Sequence, residues 1–233
     1  AVTMMYALRS RQQQKDGANV VFVDESIFPQ TLAVMTTRTI PQGMVLRTGK
    51  YNEAELTSDI FACVLQYPNA NGNVEDYRAF VEQAHAAGCK VAVAADILSL
   101  ALLTPPGEWG ADIVFGSTQR LGTPMFYGGP SAAYFATRDE YKRNMPGRII
   151  GWSKDKYGKL CYRMALQTRE QHIKREKATS NICTAQALLA TMAGFYAVYH
   201  GQEGIRAVAT RIHSIAVFLE KALSKLGYTQ KNS

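Results

Sequence analysis

The stretch that decides the fold runs from residue 90 to residue 120 and reads KVAVAADILSLALLTPPGEWGADIVFGSTQR. It contains two short apolar runs, residues 90–95 and 112–115, which have the length and composition of buried strands. Asp96 follows the first run and Arg120 lies just past the second. Because the carboxyl ends of consecutive parallel strands meet at one edge of a sheet, we predict that these two side chains point into the same crevice.

Similar runs precede this stretch and alternate with helical patterns. Several of the runs are apolar on both faces, which is typical of a parallel sheet covered by helices. The predicted strands are 19–23, 44–48, 60–67, 90–95 and 112–115, and the predicted helices are 29–38 and 74–87, the latter closed by Gly88. The repeated β-α-β pattern therefore predicts a three-layer α/β domain with a mostly parallel sheet.

The pattern changes after Arg120. A glycine-rich loop leads to one more strand, then to a hairpin that turns at Lys156-Tyr157-Gly158, and finally to two long helices separated by His200-Gly201. The predicted elements are a strand at 132–136, hairpin strands at 148–152 and 160–164, and helices at 184–199 and 203–226. We expect a piece of a longer protein, with a large domain over residues 1–200 whose start is missing. Residues 201–233 would then form an exit helix toward a truncated C-terminal small domain.

The chain is basic, and its basic character is local. It has 26 Lys and Arg against 19 Asp and Glu, a formal net charge of +7. Residues 138–177 hold 12 of the basic and 5 of the acidic residues, so this segment accounts for the whole surplus. A basic patch attracts an anionic partner, but no recognised nucleic-acid motif accompanies it. The pattern therefore favours a solvated face or a docking surface for an acidic protein over a nucleic-acid site.

Two other classes of protein are disfavoured. No stretch approaches the roughly 20 apolar residues of a membrane-spanning helix, so no membrane partner is predicted. The four cysteines, at positions 63, 89, 161 and 183, show neither metal-site nor redox spacing. This usage indicates a reducing compartment and predicts no metal site.

The loop Gly116-Ser117-Thr118-Gln119-Arg120-Leu121-Gly122 follows a buried strand, where many α/β enzymes hold pyridoxal phosphate on a lysine. A carboxylate such as that of Asp96 would keep the pyridine nitrogen of such a cofactor protonated. An amine that forms an imine must be neutral part of the time, and a guanidinium with a pKa above about 12 never is. We therefore predict that this loop holds no imine-forming residue, and hence no catalytic residue of that kind on this chain.

Six segments together carry a resemblance to a known family. They are residues 105–110 (PPGEWG), 116–122 (GSTQRLG), 127–130 (YGGP), 145–148 (MPGR), 166–173 (LQTREQHI) and 177–186 (KATSNICTAQ). They closely resemble the amino-terminal half, or subunit 1 type, of the glycine decarboxylase P-protein family, the pyridoxal phosphate component of the glycine cleavage system. The resemblance covers nearly the whole chain and implies the aspartate aminotransferase fold, fold-type I of the pyridoxal phosphate enzymes. Trp152 departs from it, since a smaller residue is expected there.

The resemblance implies a division of labour between two related halves. The carboxyl-terminal half carries a His-Lys pair whose lysine binds the cofactor, whereas Gln119 and Arg120 mark a degenerate site in this half. Asp96 would keep the ring-nitrogen position as a vestige. The family decarboxylates glycine and transfers the aminomethyl group to the lipoyl arm of the H-protein. This segment alone is expected to be inactive and to support the carboxyl-terminal half, or a second P-protein subunit.

The resemblance also bears on docking and location. The H-protein is typically acidic, so a hypothetical docking site is the cationic group Arg148, Lys154, Lys156 and Lys159. The expected location is the bacterial cytoplasm, or the mitochondrial matrix if the source is a eukaryote, with the bacterial one favoured.

Two alternatives stay open. One is an interaction module with a vestigial cofactor pocket and a basic face for an acidic protein or nucleic acid. The other is an independent aminotransferase-like enzyme that uses a different lysine, such as Lys90 or Lys177. A stable borohydride-reduced adduct with pyridoxal phosphate on one of these lysines would favour the second alternative.

Overall fold

The computed structural model describes residues 1–145, 147, 149–166, 173, 175–177 and 186–230. The chain divides into two compact units, one of residues 1–136 with 185–233 and one of residues 137–184. A six-stranded sheet forms the centre of the first unit, and a two-stranded hairpin belongs to the second. The division at residue 200 into a large domain and an exit helix stays a prediction.

The sheet of the first unit is mostly parallel. Its strands are β1 (Val20–Asp24), β2 (Val45–Gly49), β3 (Ile60–Tyr67), β4 (Lys90–Ala95), β5 (Ile113–Ser117) and β6 (Ala133–Thr137). They lie in the order β2-β1-β3-β4-β5-β6. The pairs β1–β2, β1–β3, β3–β4 and β4–β5 are all parallel. The predicted strands are confirmed, each with bounds within two residues of those observed.

Among the described residues, five α-helices accompany the strands. They are α1 (Val2–Ala7), α2 (Arg11–Lys15), α3 (Pro29–Thr39), α4 (Arg78–Ala86) and α5 (Ala187–Lys225). Pro29 begins α3, a position where the missing N–H of proline has no helical partner to lose. Gly201 interrupts α5 with non-helical backbone angles of φ 61° and ψ −176°, so the predicted break at His200-Gly201 is confirmed.

The start of α4 differs from the prediction. The helix was expected from residue 74, but it begins at Arg78. The Asn69 side-chain oxygen accepts hydrogen bonds from the N–H groups of Asn71 at 2.9 Å and Asn73 at 3.0 Å. Farther along, the carboxylate of Asp76 accepts one from Arg78 N–H at 3.1 Å. The bond from Arg78 N–H takes the place of a helical bond to the Val74 carbonyl, and the Asn69 bonds hold the turn that precedes it, so the prediction for residues 74–77 was wrong.

The core explains why the central strands are apolar on both faces. All eight residues of β3 and all five of β1 are buried. On one face, Phe80 and Val81 of α4 pack in a cluster with Leu65 and its neighbours on β4. Tyr6 of α1 contacts Phe61 edge to face, with 5.4 Å between ring centroids. Burial of each such large apolar side chain contributes about 2 kcal/mol, so these strands form the most stable part of the unit.

The second unit contains the predicted hairpin. Its strands β7 (Ile149–Lys154) and β8 (Leu160–Leu166) are antiparallel. Asp155 stabilises the turn, because its carboxylate accepts hydrogen bonds from the N–H groups of Tyr157 at 2.8 Å and Lys159 at 2.9 Å. The hairpin is therefore confirmed.

Candidate functional site

The carboxyl ends of β4 and β5 bring together the two side chains that the sequence singled out. Asp96 follows β4, and its N–H extends the ladder by donating to the Tyr67 carbonyl at 3.1 Å. One carboxylate oxygen accepts a hydrogen bond from Leu98 N–H at 3.1 Å. The other lies 3.2 Å from Arg120 Nη1. The predicted meeting of Asp96 and Arg120 at one edge of the sheet is therefore confirmed.

The loop after β5 presents Arg120 through a series of local hydrogen bonds. Ser117 Oγ accepts from Gln119 N–H at 3.1 Å, and Leu121 N–H donates to the Thr118 carbonyl at 2.9 Å. Thr118 N–H donates to the Ala132 carbonyl at 2.9 Å, which ties the loop to the residue that precedes β6. Gln119 contributes backbone bonds of this kind, as its carbonyl accepts from Thr123 N–H at 3.3 Å. The loop is thus a hydrogen-bonded turn that holds Arg120 at the sheet edge.

Tyr134 on β6 supports the end of β4. Its hydroxyl donates a hydrogen bond to the Ala95 carbonyl at 2.9 Å, next to Asp96. Burial, and secondly the negative charge of Asp96, raise the pKa of Tyr134 to about 12, so the phenol stays protonated at neutral pH. Gly116 makes this contact possible, since a Cβ there would lie 2.2 Å from the Ala95 carbonyl oxygen. The role of Tyr134 could not be predicted from the sequence, because no local pattern joins it to Ala95, 39 positions earlier.

The ion pair itself is partly open to solvent. The side chain of Arg120 is 47% exposed and that of Asp96 is 29% exposed. Exposed pairs of this kind contribute at most about 1 kcal/mol to stability. The pair has a larger effect on the chemistry that is possible here. A permanently charged guanidinium, which cannot form an imine, lies beside Asp96 and already binds one of its carboxylate oxygens.

The structure gives no support to Lys90 or Lys177 as a replacement for the imine-forming lysine. Lys90 begins β4 and Asp96 follows its last residue, so the two are separated by about 20 Å of extended chain. Lys90 therefore lies at the opposite edge of the sheet. Lys177 ends a short 3-10 turn of the second unit, Arg175–Lys177.

A second polar cluster, which no sequence pattern indicated, lies at the carboxyl ends of β1 and β3. Asp24 is buried, and its carboxylate accepts a hydrogen bond from Tyr51 N–H at 3.1 Å. The Tyr51 hydroxyl donates to Glu75 at 3.2 Å, and the Tyr77 hydroxyl donates to the Gln66 carbonyl at 3.2 Å. Burial raises the pKa of Asp24. The bonds of Glu75 and Tyr77 hold the segment between β3 and α4 in place.

The cationic residues named from the sequence lie on the hairpin. Lys154, Lys156 and Lys159 are exposed at the end where β7 and β8 are joined, while Arg148 lies outside the described residues. The Lys156 ammonium sits 4.8 Å from the ring centroid of Tyr157. Within the described ranges, no three His, Cys, Asp or Glu side chains are grouped to hold a metal ion, and no helix has the length and apolarity needed to span a bilayer.

Comparison with known proteins decides the family. The family model for the glycine cleavage system P-protein matches residues 1–232. The chain belongs to this P-protein family. P-protein relatives named glycine dehydrogenase (decarboxylating) include one from Bacteroides fragilis, 84% identical over 232 residues, and one from Flavobacterium johnsoniae, 56% identical over 233 residues. Both alignments cover the whole of this chain, but only 24% and 25% of the relatives. The chain thus spans about a quarter of their length.

A solved P-protein shares the fold. The crystal structure of glycine decarboxylase (P-protein) of the glycine cleavage system, in inhibitor-bound form, is 36% identical to this chain with a TM-score of 0.78. The match covers 88% of this chain and 47% of that chain. The expected fold, an α/β aspartate aminotransferase type with a mostly parallel sheet, is therefore confirmed.

Proposed function

We propose that this segment is a non-catalytic part of a P-protein and supports glycine decarboxylation that takes place elsewhere in the whole protein. The observation that supports the proposal most directly is the ion pair of Asp96 with Arg120, 3.2 Å apart at the sheet edge. The relatives, about four times as long as this chain, carry the name glycine dehydrogenase (decarboxylating). The activity is therefore proposed for the whole protein, and this segment contributes scaffold and surface.

The cofactor proposed for the whole protein, pyridoxal phosphate, does not fit this sheet edge as an imine. Imine formation needs an amine that can lose its proton, and the guanidinium of Arg120 cannot do so. Asp96, which would hold a ring nitrogen, has one oxygen on Arg120 and the other on Leu98 N–H. The residues present thus satisfy each other, and we place the cofactor lysine in the carboxyl-terminal half or second subunit.

This segment then contributes to the reaction by holding a sheet edge in place, against which other groups are oriented. The bonds from Tyr134 to Ala95 and from Thr118 to Ala132 hold the sheet edge in one arrangement. A fixed wall of this kind orients groups that approach it and excludes water, which are the tasks a protein performs around a cofactor. The partner half would supply the reactive centre, glycine would be the substrate, and the lipoyl arm of the H-protein would receive the aminomethyl group.

Substitutions at the ion pair test this proposal in the whole P-protein. Arg120→Met and Asp96→Asn should each leave the pyridoxal phosphate content unchanged and the glycine decarboxylation rate within about threefold, because neither side chain touches the cofactor. Asp139→Asn, which removes another exposed carboxylate paired with a lysine at 2.9 Å, is the matched control. Loss of the cofactor in Arg120→Met, or a rate loss of about a hundredfold or more in Asp96→Asn alone, would show that this edge is a working cofactor site.

We also propose that the cationic end of the hairpin docks the acidic lipoyl carrier. Lys154, Lys156 and Lys159 stand exposed within six residues of each other. Asp155 lies among them, but its carboxylate is engaged by two backbone N–H groups of the turn. The local charge is therefore positive, and it would steer an acidic protein toward the hairpin. Arg148 belongs to the same hypothesis.

Charge reversal tests the docking site. The triple variant Lys154→Glu, Lys156→Glu, Lys159→Glu should weaken binding of H-protein to the whole P-protein and flatten the dependence of affinity on salt concentration. The triple variant Arg211→Glu, Lys221→Glu, Lys225→Glu, at exposed positions of α5, changes the net charge by the same amount and is the control. Equal affinity and equal salt dependence in the triple variant and the parent protein would refute docking at this end of the hairpin.

A further inference from the structure

The hairpin carries an apolar face that adjoins its cationic end. The pairing of β7 and β8 sets Ile150 opposite Met164 and Trp152 opposite Tyr162. Because side chains alternate between the two faces of a strand, these four residues and Leu160 project from one side, together with Lys154, which pairs with Leu160 at the turn end. We call these five residues the stem face. Their exposed fractions are 56% for Ile150, 71% for Trp152, 68% for Leu160, 73% for Tyr162 and 39% for Met164.

The stem face has the properties of a surface that is covered in the assembled protein. The rings of Trp152 and Tyr162 already contact each other edge to face, with 5.5 Å between centroids. Together the five side chains expose on the order of 500 Å² of apolar surface, which is as much as the largest patch on a typical monomer. A two-stranded hairpin is also only marginally stable in water unless its apolar face packs on something else.

The distribution of charge indicates which partner covers it. The lysines lie at the turn end of the hairpin, from Lys154 to Lys159, whereas the two cross-strand pairs of the stem face, Ile150 with Met164 and Trp152 with Tyr162, are uncharged. An apolar, aromatic centre without charged residues is typical of permanent interfaces, which resemble a protein core. An acidic carrier that binds and leaves would be matched by the lysines instead.

The length of the relatives indicates which part of the protein covers the stem face. This chain covers only 24% of the Bacteroides fragilis protein and 25% of the Flavobacterium johnsoniae protein, so most of a P-protein lies outside it. We infer that the stem face packs against the part of the P-protein outside residues 1–233, and that this contact fixes the hairpin. The inference rests on the proposed function, in which this segment acts within a whole P-protein.

Hydroxyl-radical footprinting of the unmodified whole P-protein, without H-protein, tests the inference. Trp152 and Tyr162 should be modified about tenfold more slowly than in the unfolded chain, because an interface core excludes water. Tyr157, 75% exposed at the turn of the same hairpin, is the internal control and should show little protection. Modification of Trp152 and Tyr162 as rapid as that of Tyr157 would overturn the inference.

Photo-crosslinking identifies the occupant. With p-benzoylphenylalanine in place of Trp152, the crosslinked peptide should come from sequence outside residues 1–233. Crosslinks only within residues 1–233, or protection that appears only after H-protein is added, would overturn the inference. Failure of the proposed function would appear separately, as a reduced cofactor adduct on a lysine of this segment, and the footprint does not depend on that result.

Discussion

The residue at position 120 determines whether an imine can form at this edge of the sheet, because lysine can form one and arginine cannot. A lysine there would lie beside a strand-terminal carboxylate, as an imine-forming amine should, but Arg120 forms an ion pair with Asp96. Both positions were predicted from the sequence, because each lies at the end of an apolar run. The hydrogen bond from Tyr134 to Ala95 could not be predicted, because it depends on how β6 is placed beside β5.

Gly116→Ala should damage the sheet edge. The added Cβ would lie 2.2 Å from the Ala95 carbonyl oxygen and 2.7 Å from a ring carbon of Tyr134, so β4 and β5 would have to separate. We expect a loss of about 3 kcal/mol or more in the local stability of β4, measured by native-state hydrogen exchange in the whole P-protein. Gly107→Ala, where a Cβ meets nothing within 4 Å, is the control and should change stability by about 0.5 kcal/mol or less. Equal protection of β4 in the two variants would contradict the geometry at Gly116.

Asp24→Asn should stabilise the first unit at neutral pH. Burial raises the pKa of Asp24, so the folded state holds its proton more tightly than the unfolded chain. The stability that this group contributes is complete below the ordinary carboxyl pKa and is lost as the pH rises through the raised value. Asparagine keeps the oxygen that accepts from Tyr51 N–H but carries no charge. We expect a gain on the order of 1 kcal/mol at pH 7 that disappears near pH 4, measured by hydrogen exchange of β1.

Asp76→Asn is the control of opposite sign. A side-chain hydrogen bond from Arg78 lowers the pKa of Asp76 to about 2. The stability contributed by its charged form is therefore present at neutral pH and lost as the pH falls through that value. Asp76→Asn should reduce stability at pH 7, with the difference shrinking in acid. The same pH dependence for both variants would show that the environment of Asp24 is misjudged.

At the scale of elements, local patterns predicted what depends on neighbours in sequence. The strands β3 and β4 match their predicted bounds, because two-sided burial requires a continuous apolar run. The start of α4 was missed, because the side chain of Asp76 accepts a hydrogen bond from Arg78 N–H, a donor that the pattern alone assigns to the helix. The polar cluster around Asp24 and Tyr51 was missed for a different reason, since it joins residues 27 positions apart.

Gly201→Ala should be costly and Gly194→Ala should not. Gly201 adopts φ 61° with an extended ψ of −176°, a conformation that is strained for any residue with a Cβ. The substitution should reduce the stability of α5 by about 1–3 kcal/mol, or straighten the kink. Gly194 lies within the same helix in open surroundings, so alanine there should stabilise it by about 0.5–1 kcal/mol. Hydrogen exchange along α5 measures both, and a similar gain in both variants would contradict the kinked backbone.

At the scale of the whole molecule, the segment combines a buried sheet with exposed apolar and cationic surfaces. Its six-stranded sheet is mostly parallel and has a buried core, whereas the stem face of the hairpin and several large side chains of α5, among them Phe195, Val198 and Phe218, are exposed. Composition and charge predicted a basic docking region, because charge is a property of sequence. They did not predict the stem face, because Trp152 and Tyr162 become neighbours only through the pairing of β7 with β8.

The central claim is that this segment does not hold the cofactor of its family. The most direct test is to reduce the whole, unmodified P-protein with borohydride in the presence of pyridoxal phosphate and to map the labelled peptide by mass spectrometry. We expect one stable adduct, on a lysine outside residues 1–233, and an unlabelled peptide containing Arg120. A stoichiometric adduct on any lysine within residues 1–233 would contradict it.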